Sequence, residues 1–234
     1  MIKEIKIQIK KHQSIDARLY IPKKIERAVI CCHGFALVSE GPSGLFVGLA
    51  KNLIKKNIMV VFFYFREFQY TKKFNLFNSF EDLRKVIHVV KEYTTNIDLV
   101  GHSLGGLVSL VVAEEDRSVQ RLVLWAPPLR LRVPKNAKKL MKKYAVSPLQ
   151  VFVVMLKLLF ARKPMNVQSY FAKLKNRPVL FVYGTEDQFS SYENINRLEK
   201  YNNIQYLKVI GMDHYFTDYK KEVLERTLVW IDKE

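Results

Sequence analysis

Residues 96–106 read Asn-Ile-Asp-Leu-Val-Gly-His-Ser-Leu-Gly-Gly, an apolar run that ends in the pattern Gly101-x-Ser103-x-Gly105. Apolar residues at helical spacing follow the serine, so the pattern predicts a strand that passes through a tight turn into a helix. Glycines two positions before and after the serine avoid the collisions that a Cβ would make with neighbouring backbone. The hydroxyl is then exposed at the tip of the turn, beside helix N–H groups that favour negative charge. Ser103 is therefore a candidate nucleophile.

Strand-like and helix-like segments alternate along the rest of the chain. Two alternating runs, at residues 2–9 and 15–21, predict an antiparallel hairpin at one edge of a sheet. Later apolar runs predict buried strands at 28–32, 58–65, 121–126, 178–183 and 204–210, and amphipathic segments predict helices at 45–56, 80–93, 192–201 and 221–231. This alternation predicts a mostly parallel sheet with helices on both faces, whose functional groups gather at the carboxyl ends of the strands.

One segment interrupts this alternation, because no strand pattern occurs between residue 127 and about residue 170. Its first half has an apolar stripe among lysines, and residues 149–160 are apolar nearly all round. Such a helix must lie against protein, an acyl chain or lipid. We predict a helical lid over residues 127–170, inserted into a core formed by residues 1–126 and 171–234.

The positive charge is concentrated in one segment. The chain has a net charge of +17, and between Arg117 and Thr185 there are 15 Lys and Arg and no Asp or Glu. The remainder, with 24 basic and 22 acidic residues, is nearly neutral. This distribution favours an anionic substrate, or contact of the lid with an anionic membrane surface. Nucleic acid is not an expected partner, because no reading motif is present and the basic residues adjoin a hydrophobic helix.

Length and cysteine content favour a single cytoplasmic domain. At 234 residues the chain can bury one sizeable core. The N-terminus alternates charge with isoleucine, unlike a signal peptide, and the apolar runs are too short to span a bilayer. Cys31 and Cys32 are adjacent in a buried strand pattern and are expected to be reduced thiols. We predict a cytoplasmic protein that also makes peripheral contact with the inner face of the membrane. The sequence does not predict an oligomeric state.

A serine nucleophile needs a base and a group that orients the base. His214 lies just past the last predicted strand and is the predicted base. Asp187 follows the strand at 178–183 and is the predicted orienting carboxylate. Glu186 remains an alternative, because only the alternation of side chains separates the two. Asp213 adjoins the histidine and should point away from it.

Acyl transfer also needs two backbone N–H groups aimed at the developing oxyanion. Leu104, directly after the nucleophile, should supply one, and Phe35, in the loop after the strand at 28–32, should supply the other. This chemistry requires no metal and no organic cofactor. Four further residues are predicted to line the substrate pocket: His33 and His102 at strand ends, and Leu156 and Phe160 in the lid.

Four motifs carry a resemblance to a known family: His33-Gly34-Phe35, Gly101-His102-Ser103-Leu104-Gly105-Gly106, Gly184-Thr185-Glu186-Asp187 and Asp213-His214. On these motifs the chain resembles α/β-hydrolases of the serine esterase, monoacylglycerol lipase-like and acylaminopeptidase-like group. The resemblance implies the α/β-hydrolase fold, and its serine, acid, histidine order is the one expected there. The chain departs from the group after Phe65, where relatives often carry Arg-Gly-x-Gly and only Arg66 is kept.

Together these features predict a serine hydrolase that cleaves a small-molecule carboxylic ester, acyl or otherwise hydrophobic, through an acyl-serine intermediate. A peptidase or amidase and a thioesterase are alternatives on the same residues. A non-catalytic binding protein that kept the fold is the alternative from another class. The complete set of Ser103, Asp187 and His214 argues against it, because binding does not need all three.

Overall fold

Strands and helices alternate along the chain as the sequence predicts. The computed structural model describes residues 1–34, 40–66, 76–129, 167–187, 189, 195 and 198–233. The strands in this part are β1 (Ile2–Lys10), β2 (Gln13–Tyr20), β3 (Arg27–Cys32), β4 (Ile58–Phe63), β5 (Ile97–His102), β6 (Val119–Trp125), β7 (Val179–Gly184) and β8 (Ile204–Val209). The α-helices in this part are α1 (Leu45–Leu53), α2 (Leu76–Val90), α3 (Leu104–Glu115), α4 (Val167–Lys173) and α5 (Lys220–Asp232).

The eight strands form one sheet in the order β1-β2-β4-β3-β5-β6-β7-β8. The hairpin of β1 and β2 lies at one edge, where β2 also pairs antiparallel with β4. Every other pairing in the sheet is parallel. β5, which leads into Ser103, therefore lies inside the sheet, between β3 and β6.

Helices cover both faces of the sheet and divide the core into two clusters. α1 and α5 pack on one face, where their apolar side chains surround Phe62 and Trp125. α2, α3 and α4 pack on the other face, in the cluster that also contains the inward side chains of the hairpin. The central strands are buried on both faces, which explains why their sequences are continuously apolar rather than alternating.

The end of α5 is held by a buried cluster of charged side chains. Asp98 on β5 accepts hydrogen bonds from Arg121 at 2.8 and 3.2 Å and pairs with Arg27 at 3.5 Å. Both arginines also donate to the carbonyl of Ile231, at 3.0 and 3.1 Å. Because the last carbonyls of a helix lack partners within it, this cluster satisfies one of them and joins α5 to the sheet.

Most of the predicted lid, residues 130–166, lies outside the described residues, and so do Leu156 and Phe160. α4 crosses the predicted end of the lid at residue 170 and packs on the core through Val167 and Phe171. Within the described residues, no helix has the length and apolar character needed to cross a membrane.

Candidate active site

Ser103 occupies a strained turn between β5 and α3. Its φ of 52° lies in the left-handed region that side chains rarely adopt, and its N–H donates to the carbonyl of Trp125 at 2.8 Å. A Cβ on Gly105 would lie 2.1 Å from the carbonyl oxygen of Cys32, and one on Gly101 would lie 2.5 Å from the carbonyl oxygen of Gly105. The two glycines therefore let β5, β3 and α3 approach closely enough to hold the strained serine.

The structure brings Ser103 together with the predicted base and acid. Nε2 of His214 lies 2.9 Å from Oγ of Ser103. Nδ1 of the same ring lies 2.9 and 3.0 Å from the two carboxylate oxygens of Asp187. Because a carboxylate only accepts, Nδ1 carries the proton and Nε2 is left to accept from the serine hydroxyl. His214 and Asp187 are both buried, which strengthens these interactions relative to water.

The two alternative carboxylates lie elsewhere. The side chain of Glu186 is exposed. The carboxylate of Asp213 accepts from the N–H groups of Tyr215 and Thr217 at 3.2 and 3.0 Å, and so closes the turn that carries His214. Asp187 is the carboxylate that contacts the ring.

Backbone contacts join the loop after β7 to the loop after β8. The N–H of Glu186 donates to the carbonyl of Met212 at 3.1 Å, and the N–H of Gly211 donates to Oγ1 of Thr185 at 2.9 Å. A Cβ on Gly184 would lie 2.0 Å from the carbonyl oxygen of Met212, so only glycine fits there. The predicted acid and base are thus carried by two loops that hydrogen bonds join directly.

Phe189 is a site residue that the sequence analysis missed. Its ring lies 4.6 Å from the ring of His214, centroid to centroid, and its N–H donates to Oδ1 of Asp187 at 2.8 Å. It therefore contacts the base and orients the acid. A single phenylalanine two residues after the acid carries no pattern that sequence reasoning could have used.

The predicted oxyanion donors are only partly described. Leu104 begins α3, so its N–H lies in the first turn, where amides have no partner within the helix. Phe35 lies outside the described residues. His33, two positions earlier, accepts at Nε2 from the N–H of Phe65 (3.1 Å), and its Nδ1 donates to the carbonyl of Gly34 at 2.7 Å.

His33 and His102, which the sequence analysis assigned to the substrate pocket, are both fully buried. Burial lowers the pKa of His33 to about 4 and that of His102 to about 3, so both rings are neutral near neutral pH. His33 bonds the main chain of Gly34 and Phe65, and His102 bonds the main chain of His214 at 2.8 Å. Both histidines thus support the loops around Ser103, and their contact with substrate stays a prediction.

Arg66 lies just beyond β4 and joins the end of this strand to α2. Its side chain is buried and its Nε lies 2.9 Å from Oδ1 of Asp82, while its N–H donates to Oδ2 of the same carboxylate at 2.9 Å. It also contacts Glu81 and, at 3.3 Å, Gln13. Arg66, the one residue kept from the Arg-Gly-x-Gly pattern, therefore holds the chain that follows β4 against α2.

Comparisons with known proteins identify the family of the chain and its fold. A family model described as serine aminopeptidase, S33, matches residues 23–170. No curated protein sequence matches the chain.

Solved structures with similar folds include the following three. A Pyrococcus furiosus esterase is 21% identical with a TM-score of 0.77, over 100% of this chain and 91% of that one. Est1E from Butyrivibrio proteoclasticus is 20% identical with a TM-score of 0.72, over 97% of each chain. An alpha-beta serine hydrolase homologue from Coxiella burnetii is 21% identical with a TM-score of 0.67, over 98% of this chain and 97% of that one. These likenesses confirm the predicted α/β-hydrolase fold.

Proposed function

This chain belongs to the hydrolase family described as serine aminopeptidase, S33, and from that premise we propose that it is a serine hydrolase that cleaves carboxylic esters. The observation that carries the proposal is the continuous chain of contacts from Asp187 through His214 to Ser103, with every distance between 2.9 and 3.0 Å. These are hydrogen-bond distances at which a proton can pass from the hydroxyl to the ring.

The proposed reaction has two halves. Oγ of Ser103 attacks the ester carbonyl while Nε2 of His214 takes the hydroxyl proton, and the carbonyl oxygen becomes an oxyanion. The intermediate then expels the alcohol, which receives that proton from Nε2, and an acyl-serine remains. Water attacks the acyl-serine in the same way: Nε2 takes a proton from water and returns it to Oγ as the acid leaves.

Two groups stabilise charge in this sequence. Asp187 holds the ring in the tautomer that accepts at Nε2 and stabilises the imidazolium that forms. The N–H groups of Leu104 and Phe35 are the proposed donors to the oxyanion. Each such donor is worth about 10²–10³ in rate in serine hydrolases.

Two observations support an ester as the substrate. The solved structures of similar fold include esterases, among them Est1E, which has been solved with ferulic acid bound. The sequence of residues 149–160 is apolar nearly all round, as expected beside an acyl group. Aminopeptidase activity is the second candidate, because the family description names it.

A fluorophosphonate probe tests the nucleophile. It should label the wild-type protein and fail to label Ser103→Ala. The matched control is Ser118→Ala, which removes a hydroxyl from the turn before β6, bonded to Asp116 at 2.7 Å. An unlabelled wild type overturns the proposal, and full labelling of Ser103→Ala overturns the assignment of the nucleophile.

A substrate panel tests the bond that is cleaved. It contains p-nitrophenyl esters from C2 to C16, methyl ferulate, an acyl thioester and aminoacyl p-nitroanilides. Ester turnover well above anilide and thioester turnover supports the proposal, and a preference for anilides would make the protein an aminopeptidase instead. Equal rates across the ester series would remove the argument for an acyl pocket.

The concentration of positive charge between residues 117 and 185 supports a further element of the proposal, contact with an anionic surface at the cytoplasmic face of a membrane. Co-sedimentation with vesicles of phosphatidylglycerol and of phosphatidylcholine measures it. Binding to the anionic vesicles alone, weakened by salt, is the expected result. Equal binding to both, or none, refutes it.

A further inference from the structure

We propose that His102 is a positioning residue, which holds the main chain of His214 at the distance from Ser103 that proton transfer requires. The inference rests on the proposed function, since it concerns the same site. It assigns a task to a buried histidine that does not itself take part in the reaction.

The contact between the two histidines is direct and buried. Nε2 of His102 lies 2.8 Å from the carbonyl oxygen of His214, and the His102 ring is fully buried. Because a carbonyl only accepts, Nε2 of His102 carries the proton and donates. Nδ1 has no hydrogen-bond partner within the described part of the chain, so a proton there would be buried without an acceptor. The ring is therefore a neutral donor with one partner.

His102 and Ser103, which are consecutive at the end of β5, thus contact the main chain and the side chain of the same residue, His214. Ser103 contacts the side chain of His214 at Nε2, and His102 contacts its main-chain carbonyl. The contacts of Asp187 with His214 run through Nδ1 of the ring, whereas the contact of His102 is with the main chain. A shift of the loop away from the end of β5 would stretch the bond from His102.

A second contact of His102 restrains the same loop. Phe216 is fully buried, adopts a φ of 59°, and packs edge-on against His102 with ring centroids 5.4 Å apart. It also packs against Trp125 at 6.1 Å. A left-handed phenylalanine persists only where its surroundings hold it in place. His102 thus donates a hydrogen bond to the loop that carries His214 and also packs against Phe216, which fixes that loop in the core.

The consequence for catalysis follows from geometry. A misplacement of about 1 Å in a reacting group, caused by a change away from the reacting atoms, can cost about 10²-fold in rate. His102→Leu fills the buried space with an apolar side chain but removes the donor, so kcat should fall by about 10²-fold. KM should stay unchanged, because the fully buried His102 ring acts in this proposal through the main chain of His214 and not through the substrate.

Two amide variants separate the hydrogen bond from packing. The amide nitrogen of glutamine lies where Nε2 of histidine does, whereas that of asparagine lies where Nδ1 does and falls short of the carbonyl. His102→Gln should lose less than about tenfold in kcat, because the bond can re-form. His102→Asn should resemble His102→Leu. If His102→Leu does not fold, the comparison of Asn with Gln carries the test.

Thr227→Val is the matched control. It removes a buried hydrogen bond, from Trp125 Nε1 to Thr227 Oγ1 at 3.1 Å, in the same core cluster that contains Phe216. It should lower the Tm and leave kcat unchanged. A loss of kcat in Thr227→Val equal to that in His102→Leu would mean general destabilisation and overturn the proposal.

Steady-state kinetics of these variants, with the rate of fluorophosphonate labelling, decide the inference. The inference is supported if kcat is low in His102→Leu and His102→Asn, is largely restored in His102→Gln, and is unchanged in Thr227→Val. Equal kcat in His102→Asn and His102→Gln overturns the inference. In that case, labelling of the wild type but not of Ser103→Ala still supports the proposed function. An unlabelled wild type overturns both.

Discussion

Acid should destabilise the fold through His102 in a measurable and specific way. Burial, and to a smaller extent the neighbouring His214, lower the pKa of this ring from its ordinary value of 6.5 to about 3. In the unfolded chain the ring takes up a proton near pH 6.5, and in the folded chain it does not. The stability that His102 contributes is therefore complete above pH 6.5 and is lost as the pH falls toward 3.

The size of this loss follows from the two pKa values. At pH 5.0 the unfolded state binds almost one proton on this ring and the folded state binds almost none. Each pKa unit corresponds to 1.36 kcal/mol. The contribution of His102 to the free energy of unfolding should thus fall by about 2 kcal/mol between pH 7.5 and pH 5.0.

Urea unfolding of the wild type and of His102→Gln, at both pH values, measures the contribution of His102 titration to the free energy of unfolding. Glutamine does not titrate, and the comparison at a single pH cancels the titration of the other groups. The stability difference between the two proteins should shift by about 2 kcal/mol in favour of the variant at pH 5.0. Thr227→Val is the control, because it removes a buried hydrogen bond without removing a titratable group and should give no shift. A shift below about 0.5 kcal/mol for His102→Gln would mean that the ring takes up protons freely in the folded protein. The assignment of His102 as a buried, neutral hydrogen-bond donor would then be wrong.

Three further outcomes test other parts of the structure. Asp187→Asn should lower kcat by about 10⁴-fold with the protein folded, whereas Glu186→Gln, an exposed neighbour, should be nearly silent in the same kinetics. Gly105→Ala should prevent folding, measured by circular dichroism and soluble yield, because its Cβ would meet backbone at 2.1 Å; Gly48→Ala should fold, because its Cβ meets only a leucine methyl at 2.8 Å. Asp98→Asn should lower the free energy of unfolding by about 3 kcal/mol, by leaving two buried arginines without their carboxylate, with kcat per folded molecule unchanged.

Local patterns predicted most of the elements, because each strand and helix buries a face that its own sequence specifies. The hairpin at the edge of the sheet and the continuous apolar runs of the parallel strands both appear in the structure. Boundaries were less accurate. α2 was predicted at residues 80–93 and spans Leu76–Val90, because buried Leu76 starts its apolar face earlier and the chain turns after Val90.

The site divides in the same way between local and distant signals. Ser103, Asp187 and His214 were predictable because each follows a strand whose end must lie at one edge of the sheet. The bond from His102 to His214 joins residues 112 positions apart, and no spacing or composition marks it. Such contacts depend on how far each loop turns after its strand, which only the packed structure determines.

The three groups of the site stand at the ends of β5, β7 and β8, and 111 residues separate the hydroxyl from the imidazole. A nascent chain that has emerged only as far as the loop after β7 carries the hydroxyl and the carboxylate but lacks the proposed base. In the proposed mechanism, turnover can begin only when β8 has added to the free edge of the sheet. During cell-free translation the first appearance of product would therefore time the docking of the last strand.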